Sequence, residues 1–209
     1  MHTFHFDFVG EGIPPAQHAM ILLHGRGASA EDILQLADAL PVRDFALFAP
    51  KATNHTWYPF PFLAPPQHNE PWLSSALDVV GRMVKEVKNR GIAEDDIWFA
   101  GFSQGACLML EFLARNAAPY AGALAFTGGL IGDQIYTQNY KGDFGHMPIF
   151  IGSSDPDPHV PVERVLESAT VLQHMNAIVT TKIYPLMGHT IGQEELKDAT
   201  ALLSSYDNS

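Results

Sequence analysis

The sequence contains almost no cysteine and few basic residues. Cys107 is the single cysteine among 209 residues, so no intrachain disulfide can form and nothing indicates an oxidising compartment. Only 12 Lys and Arg stand against 23 Asp and Glu, which gives a net charge of -11. An acidic surface repels phosphate backbones and anionic membrane faces. The chain also has no basic run with interleaved aromatics, so nucleic acid is not expected as a partner.

Long hydrophobic runs and several short motifs are missing as well. The N-terminal stretch MHTFHFDFVGEG has no basic segment followed by an apolar one, so we do not expect a signal peptide. The apolar runs are far too short for a membrane span. No cluster of His and Cys has metal-ligand spacing, and no glycine fingerprint for nucleotides is present. These features predict a cytoplasmic protein with no metal, no cofactor and no membrane span.

The residues that are present predict an α/β fold. With 46% hydrophobic and 17% charged residues, the chain can bury a sizeable core, and we expect a single domain over residues 1–209. Strand and helix patterns alternate, and the central strands are continuously apolar, which is typical of a parallel sheet covered on both faces. This predicts a three-layer sandwich with a mostly parallel sheet and ligands beyond the carboxyl ends of the strands. The predicted strands are Thr3–Val9, Met20–Leu23, Phe45–Ala49, Ile97–Phe102, Ala121–Phe126, Ile149–Ile151 and Ile178–Tyr184; the predicted helices are Ser29–Leu40, Trp72–Asn89, Ala106–Ala114, Pro161–Met175 and Glu194–Ser205.

Gly101-Phe102-Ser103-Gln104-Gly105 has the form G-x-S-x-G and lies between a predicted strand and a predicted helix. A serine at such a sharp turn sits in a strained backbone conformation that lifts its hydroxyl to the rim of the sheet. Side chains in place of the two glycines would collide with the neighbouring strand and helix. The pattern alone is common, and Ser103 could simply cap the helix. The strand-to-helix context favours a nucleophile.

A serine nucleophile needs a base and an orienting acid, in the chain order Ser, Asp or Glu, His. Two aspartates, Asp155 and Asp157, follow the predicted strand Ile149–Ile151, and the residues alone leave the choice between them open. His189 follows the last predicted strand, beside Gly188. Because Asp-Pro pairs also initiate turns, the alternative is that both aspartates are turn residues without a catalytic role.

The turn after the first central strand, in LLHGRGAS, is a candidate for holding the oxyanion. The backbone N–H groups of Arg26 and Gln104 are the expected donors. The Arg26 side chain is expected to face solvent, with the binding of an acidic leaving group as the alternative. From the residues alone, an ordinary strand-ending turn is the favoured interpretation of His24-Gly25.

The loop from Thr53 to Trp72 is rich in aromatic residues and proline. We expect Trp57, Tyr58, Phe60 and Phe62 to form an apolar wall for an acyl or aryl group, and the alternative is that they cover the flank of the sheet. Cys107, one turn into the following helix, is expected to be a buried and inert residue.

The motifs LLHGRGAS, GFSQGA, DPHVP and GH, in this order, resemble the phospholipase/carboxylesterase family of α/β hydrolases, which includes acyl-protein thioesterases and small bacterial carboxylesterases. HTWYP is similar to a family segment after the second central strand. The resemblance implies the α/β-hydrolase fold, with Ser103 as nucleophile, His189 as base, Asp157 of Asp-Pro-x-Val-Pro as acid, and oxyanion donors at Arg26 and Gln104. It is also compatible with a homodimer.

The expected function is therefore a serine carboxylesterase that acts on a small-molecule ester through an acyl-enzyme, with thioesters as a second substrate type. Arg26 stands where the thioesterases usually have an apolar residue, and the segment between strands four and five is short. Both departures favour a small soluble ester over a lipidated protein. Two alternatives remain from the sequence: a dienelactone-type or aryl-ester hydrolase, and a non-catalytic ligand-binding protein on the same fold.

Overall fold

The computed structural model describes residues 1–9 and 16–206. In this part of the chain, strands form a seven-stranded sheet in the order β1-β3-β2-β4-β5-β6-β7. β1 is antiparallel to β3, and every other neighbouring pair is parallel. The strands are β1 Phe6–Val9, β2 His18–Leu23, β3 Phe45–Pro50, β4 Ile97–Phe102, β5 Gly122–Phe126, β6 Pro148–Asp155 and β7 Ile178–Pro185; the α-helices are α1 Ala30–Leu34, α2 Trp72–Asn89, α3 Gln104–Arg115, α4 Val162–His174 and α5 Gln193–Tyr206.

The helices cover both faces of the sheet and bury its side chains in two cores. Ile21 of β2 belongs to the core shared with α2, α3 and α4. Its neighbours Met20 and Leu22 point to the opposite face and belong to the core shared with α1 and α5. Side chains alternate across a strand, so strands buried on both faces must be apolar at successive positions. The predicted three-layer α/β class is confirmed.

The direction in which successive strands are added to the sheet reverses at β2, and this reversal determines where the site lies. The chain runs outward from β2 to β3 and then returns to place β4 on the other side of β2. Leu23, at the end of β2, pairs with Gly101 near the end of β4. The loops that leave these two strands diverge and leave a crevice between them, which is where ligands bind in open parallel sheets.

Several predicted boundaries shift in the structure. The helix predicted through about Leu40 is α-helical only to Leu34 and continues as a tighter 3₁₀ helix over Gln35–Ala39. Leu40 is extended because it precedes Pro41, whose ring disfavours helical backbone at the residue before it. The predicted edge strand is shorter than Thr3–Val9 and begins at Phe6. Of the predicted domain over residues 1–209, residues 10–15 and 207–209 lie outside the described residues.

No helix within residues 1–9 and 16–206 combines the length and the apolar character that crossing a membrane requires.

Candidate active site

Ser103 occupies the turn between β4 and α3. Its backbone has φ 53° and ψ -118°, a left-handed conformation that is strained for a residue with a side chain. The turn is held from both sides, because the N–H of Ser103 donates to Phe126 O at 2.9 Å and its C=O accepts from Cys107 N at 2.9 Å. The strain therefore persists, and it directs the hydroxyl away from the helix toward the crevice.

The two glycines of the motif allow this turn to pack closely. A Cβ atom at Gly105 would collide with the backbone carbonyl of Leu23, and one at Gly101 would lie 2.8 Å from the backbone nitrogen of Ala106. These are the expected collisions with the neighbouring strand and helix. Helix α3 can begin directly beneath the end of β2 only because position 105 has no side chain.

His189 joins Ser103 and Asp157 in one hydrogen-bonded chain. Its Nε2 lies 2.8 Å from Ser103 Oγ, and its Nδ1 lies 2.8 Å from Asp157 Oδ2. The loop that carries His189 is fixed by the N–H of Gly188, which donates to Ser154 Oγ at 2.8 Å. Gly188 has φ +80°, which glycine adopts without strain. Ser103 and His189, which are 86 positions apart in the sequence, thus meet within hydrogen-bonding distance.

Asp157 is fully buried at its side chain, and its second oxygen is also occupied. Oδ1 accepts from the backbone N–H groups of His159 and Val160 at 2.8 and 2.9 Å. Burial alone would raise the pKa of this carboxyl, but the N–H groups and the His189 ring together lower it below its usual value. An ionised Asp157 holds the His189 Nδ1–H and leaves Nε2 free to accept the serine proton.

Asp155, the other candidate acid, lies at the exposed end of β6. Its contact with the site loop is through the backbone, because its C=O accepts from Leu186 N at 2.9 Å. Of the two aspartates that the sequence leaves open, Asp157 is the one whose carboxylate contacts His189.

The backbone N–H groups of Arg26 and Gln104 flank the crevice, and neither donates to another of the described residues. The C=O of Gly25, in the same peptide unit as the Arg26 N–H, accepts from Ala28 N and from His24 Nδ1. Because the C=O and N–H of a trans peptide point in opposite directions, these two bonds turn the Arg26 N–H away from the turn. Arg26 and Gln104 line the same cavity as Ser103, and two backbone donors in such a cavity are what a developing oxyanion requires.

His24 is a positioning residue that the sequence did not single out. Its Nε2 accepts from Ala52 N at 3.2 Å, which assigns the ring proton to Nδ1, and Nδ1 lies 2.8 Å from Gly25 O. Burial lowers the pKa of His24 despite the bond to Gly25. The only sequence signal is its place at the end of β2, directly before the glycine-rich turn.

The side chains of Arg26 and Gln104 both form hydrogen bonds with the loop at residues 57–60. Gln104 accepts from Trp57 N at 3.0 Å and donates to Tyr58 O at 2.8 Å. The Arg26 guanidinium donates to the carbonyls of Tyr58, Pro59 and Phe60 at 2.9, 2.9 and 3.0 Å. Arg26 is exposed as expected, but its guanidinium is fixed in place. These bonds connect the loop at residues 57–60 to the two turns that carry Arg26 and Gln104.

A cavity of about 520 Å³ opens at Ser103. Tyr58 and Phe62 are among the described residues that line it, with Pro59, Pro61 and Val160 as further apolar or ring surfaces, whereas Trp57 and Phe60 are not. Trp57 is fully buried and its Nε1–H donates to His24 O at 2.9 Å; Phe60 is 51% exposed. Of the four predicted wall residues, two therefore face the cavity and two serve elsewhere in the loop.

Cys107 also lines this cavity. Burial raises the pKa of its thiol to about 12, so it stays protonated at neutral pH. Its Sγ accepts a weak hydrogen bond from Gly129 N at 3.5 Å. A protonated, buried thiol is a poor nucleophile, and Cys107 acts here as an apolar surface.

Comparison with known proteins identifies the class. The phospholipase/carboxylesterase family model matches residues 5–206, and the chain belongs to this family of hydrolases. A phospholipase/carboxylesterase structure from Dyadobacter fermentans is 48% identical, with a TM-score of 0.95 and coverage of 97% of both chains. Acyl-protein thioesterase 1 of Saccharomyces cerevisiae is 28% identical over 93% of this chain and 95% of its own length. The carboxylesterase of Bacillus cereus, 20% identical with a TM-score of 0.78 over 98% of this chain and 94% of its own, shares the fold.

Proposed function

We propose that this hydrolase is a serine carboxylesterase in which Ser103, His189 and Asp157 form a catalytic triad. The observation that carries the proposal is the continuous hydrogen-bonded chain from Ser103 Oγ through the imidazole to a buried carboxylate. Ser103 Oγ attacks the acyl carbon while His189 Nε2 takes its proton. Asp157 orients the ring and stabilises the imidazolium that results.

The attack converts the substrate carbonyl into an oxyanion. The N–H groups of Arg26 and Gln104 are proposed to bind it, and the N-terminal end of α3 adds partial positive charge. When the carbonyl re-forms, the C–O bond to the alcohol breaks and the leaving oxygen takes the proton from His189 Nε2. The acyl group remains esterified to Ser103.

Water then completes the cycle by the same route. His189 removes a proton from water, the hydroxide adds to the acyl carbon, and collapse of the second oxyanion returns Ser103 Oγ–H with release of the acid. A thioester would follow these steps with sulfur as the leaving atom. The cavity, closed on one side by Tyr58, Pro59 and Phe62, supports a small ester as substrate.

Hydrolysis of 4-nitrophenyl esters of increasing acyl length tests the proposal, with Ser103→Ala as the control variant. We expect the wild-type chain to turn over the shorter esters and the variant to lose a factor on the order of 10⁶ in kcat, with unchanged thermal unfolding.

A fluorophosphonate probe should label the wild type and spare the variant. Turnover that survives in the variant refutes Ser103 as nucleophile, and absence of both turnover and labelling in the wild type indicates a ligand-binding protein. Cyclic and aryl-acid esters are added to the panel, and a preference for them over simple acyl esters indicates a dienelactone-type or aryl-ester hydrolase.

A further inference from the structure

The catalytic cavity carries a cation in a strongly acidic protein. The chain has 12 Lys and Arg against 23 Asp and Glu, yet Arg26 lines the cavity and none of its described lining residues carries a carboxylate. Within residues 1–9 and 16–206, no Asp or Glu lies within ion-pair distance of the Arg26 guanidinium. Its charge is therefore not neutralised by any carboxylate of the described residues.

The guanidinium is also pre-oriented. Its Nη1 donates to Pro59 O and its Nη2 to Tyr58 O and Phe60 O, so carbonyl groups hold it without cancelling its charge. Guanidinium has five N–H donors in a planar fork, and three of them are used here. Among the described residues, the Nε–H and the second Nη1–H have no acceptor. They lie on different edges of the guanidinium, so each can make a single charge-assisted bond to a carboxylate oxygen. A guanidinium fixed in advance loses little side-chain entropy when it binds a carboxylate.

The cavity also has a second possible hydrogen-bond donor, the side chain of His159, next to His189. The exposed His159 ring lines the cavity and stands edge-on to the His189 ring, with centroids 4.7 Å apart. Its backbone N–H is already used on Asp157, whereas its ring nitrogens form no hydrogen bond within the described part of the chain. The ring can therefore offer an N–H to a substrate that occupies the cavity.

We propose that the cavity selects esters that bear a second, ionised carboxylate, which Arg26 binds through its guanidinium with His159 as an additional donor. This inference rests on the proposed esterase function and names its substrate class. An overall charge of -11 repels such anions at long range, so their selection requires an unneutralised cation inside the site. Arg26 thus has two roles, since its backbone N–H faces the oxyanion and its side chain sets specificity.

The test compares matched substrates that differ in one charge. Mono-4-nitrophenyl adipate and 4-nitrophenyl hexanoate have the same acyl length, and they differ in the terminal carboxylate. A second pair, 4-(hexanoyloxy)benzoate and its methyl ester, places the charge on the leaving group and shows which side of the ester Arg26 reads. We expect the wild type to favour one anionic member about tenfold or more in kcat/KM, chiefly through KM, as one charge-assisted contact supplies.

Variants assign the preference to the guanidinium. Arg26→Gln should lower the anionic-to-neutral ratio about tenfold or more, Arg26→Lys should keep part of it, and His159→Gln should lower it less. Arg43→Gln, at an exposed position before the start of β3, changes the net charge equally and should leave the ratio unaltered.

A wild type that prefers both neutral esters, or an Arg26→Gln that slows both members of a pair equally, overturns the substrate class while leaving the esterase proposal intact. Failure of the wild type on every ester, or turnover by Ser103→Ala, defeats the esterase proposal itself.

Discussion

At the scale of single residues, Asp155 and Asp157 show how little separates a surface carboxylate from a candidate catalytic one. Asp155 is the last residue of β6 and Asp157 follows it by two residues, but Asp155 is exposed and the Asp157 side chain is fully buried. The buried carboxylate receives two backbone N–H bonds in addition to His189. Those bonds keep it ionised and fix both of its oxygens, so a substitution there affects the direction in which the imidazole points.

Asp157→Asn should lower kcat about 10⁴-fold, because an amide favours the wrong tautomer of His189 and does not stabilise the imidazolium. The neighbouring Asp155→Asn is the matched control and should stay close to wild type. The measurement is kcat for a neutral 4-nitrophenyl ester, with thermal unfolding recorded for both variants. Equal losses in the two variants would contradict the assignment of Asp157.

His24 acts through the Gly25–Arg26 peptide, and its removal should change turnover more than substrate binding. His24→Ala leaves Gly25 O with the Ala28 N–H as its one remaining donor among the described residues, so the Arg26 N–H is held less firmly in its direction. We expect kcat to fall by up to about 10²–10³, the effect of losing one oxyanion donor, with little change in KM. His24→Asn, whose amide N–H can replace the donor at Nδ1, should recover part of that loss. A fall in kcat that Asn does not reduce at all would point to general destabilisation instead.

At this scale, motifs and positions directly after strands predicted Ser103 and His189 as site residues. They also predicted the two turns whose backbone N–H groups, at Arg26 and Gln104, are the expected donors. The sequence could not separate Asp155 from Asp157 without the family resemblance, because burial and the direction of a side chain depend on tertiary packing. The same limit applies to the aromatic loop. Trp57 and Phe62 look alike as sequence features, yet Trp57 packs against His24 at the end of β2 and Phe62 lines the cavity.

At the scale of elements, the close approach of α3 to β2 depends on the missing side chain at Gly105. Strand and helix existence followed from apolar runs and helical spacing, and helix α2 has the predicted bounds Trp72–Asn89. Contacts between elements did not follow, because no local pattern encodes which backbone lies against which. The carbonyl of Leu23 against Gly105 is such a contact.

Gly105→Ala should destabilise the fold by about 1–3 kcal/mol or more, because the new methyl group collides with the backbone of β2 rather than with a movable side chain. Gly81→Ala, in the middle of α2, is the opposite case. Its nearest neighbour would be Phe112 Cε2 at 3.5 Å, an ordinary contact, so alanine should stabilise the helix by about 0.5–1 kcal/mol. Urea unfolding of the two variants measures both values, and a neutral Gly105→Ala would show that the strand and helix can move apart.

At the scale of the whole molecule, helix α5 packs a carboxylate against the sheet. Glu195 is fully buried, and its Oε1 lies against the backbone of Gly152 in β6. Its Oε2 accepts from Gly192 N at 3.2 Å, while Oε1 has no hydrogen-bond partner among the described residues. Burial raises the pKa of Glu195 from 4.5 to about 7. This carboxyl therefore couples the docking of α5, and of the loop between it and His189, to pH.

The sign of this coupling follows from where the proton is held. With a raised pKa, the folded protein keeps the Glu195 proton up to about pH 7, whereas the unfolded chain releases it near 4.5. The contribution of Glu195 to stability is thus greatest below pH 4.5 and is lost as the pH rises through 7. Asp157 has a lowered pKa, so its contribution has the opposite sign and changes only as the pH falls below its usual acidic range.

Glu195→Gln should remove this pH dependence, because the amide has nearly the same shape and no proton to lose. Between about pH 5.5 and about pH 8.5, the free energy of unfolding of the wild type should fall by on the order of 2 kcal/mol more than that of the variant. Glu194→Gln, on the exposed side of the same helix, is the control and should follow the wild type. Urea unfolding at the two pH values gives the comparison directly. Parallel pH profiles for wild type and Glu195→Gln would mean that Glu195 is ionised in the folded protein throughout this range, and that the docking of α5 does not depend on its proton.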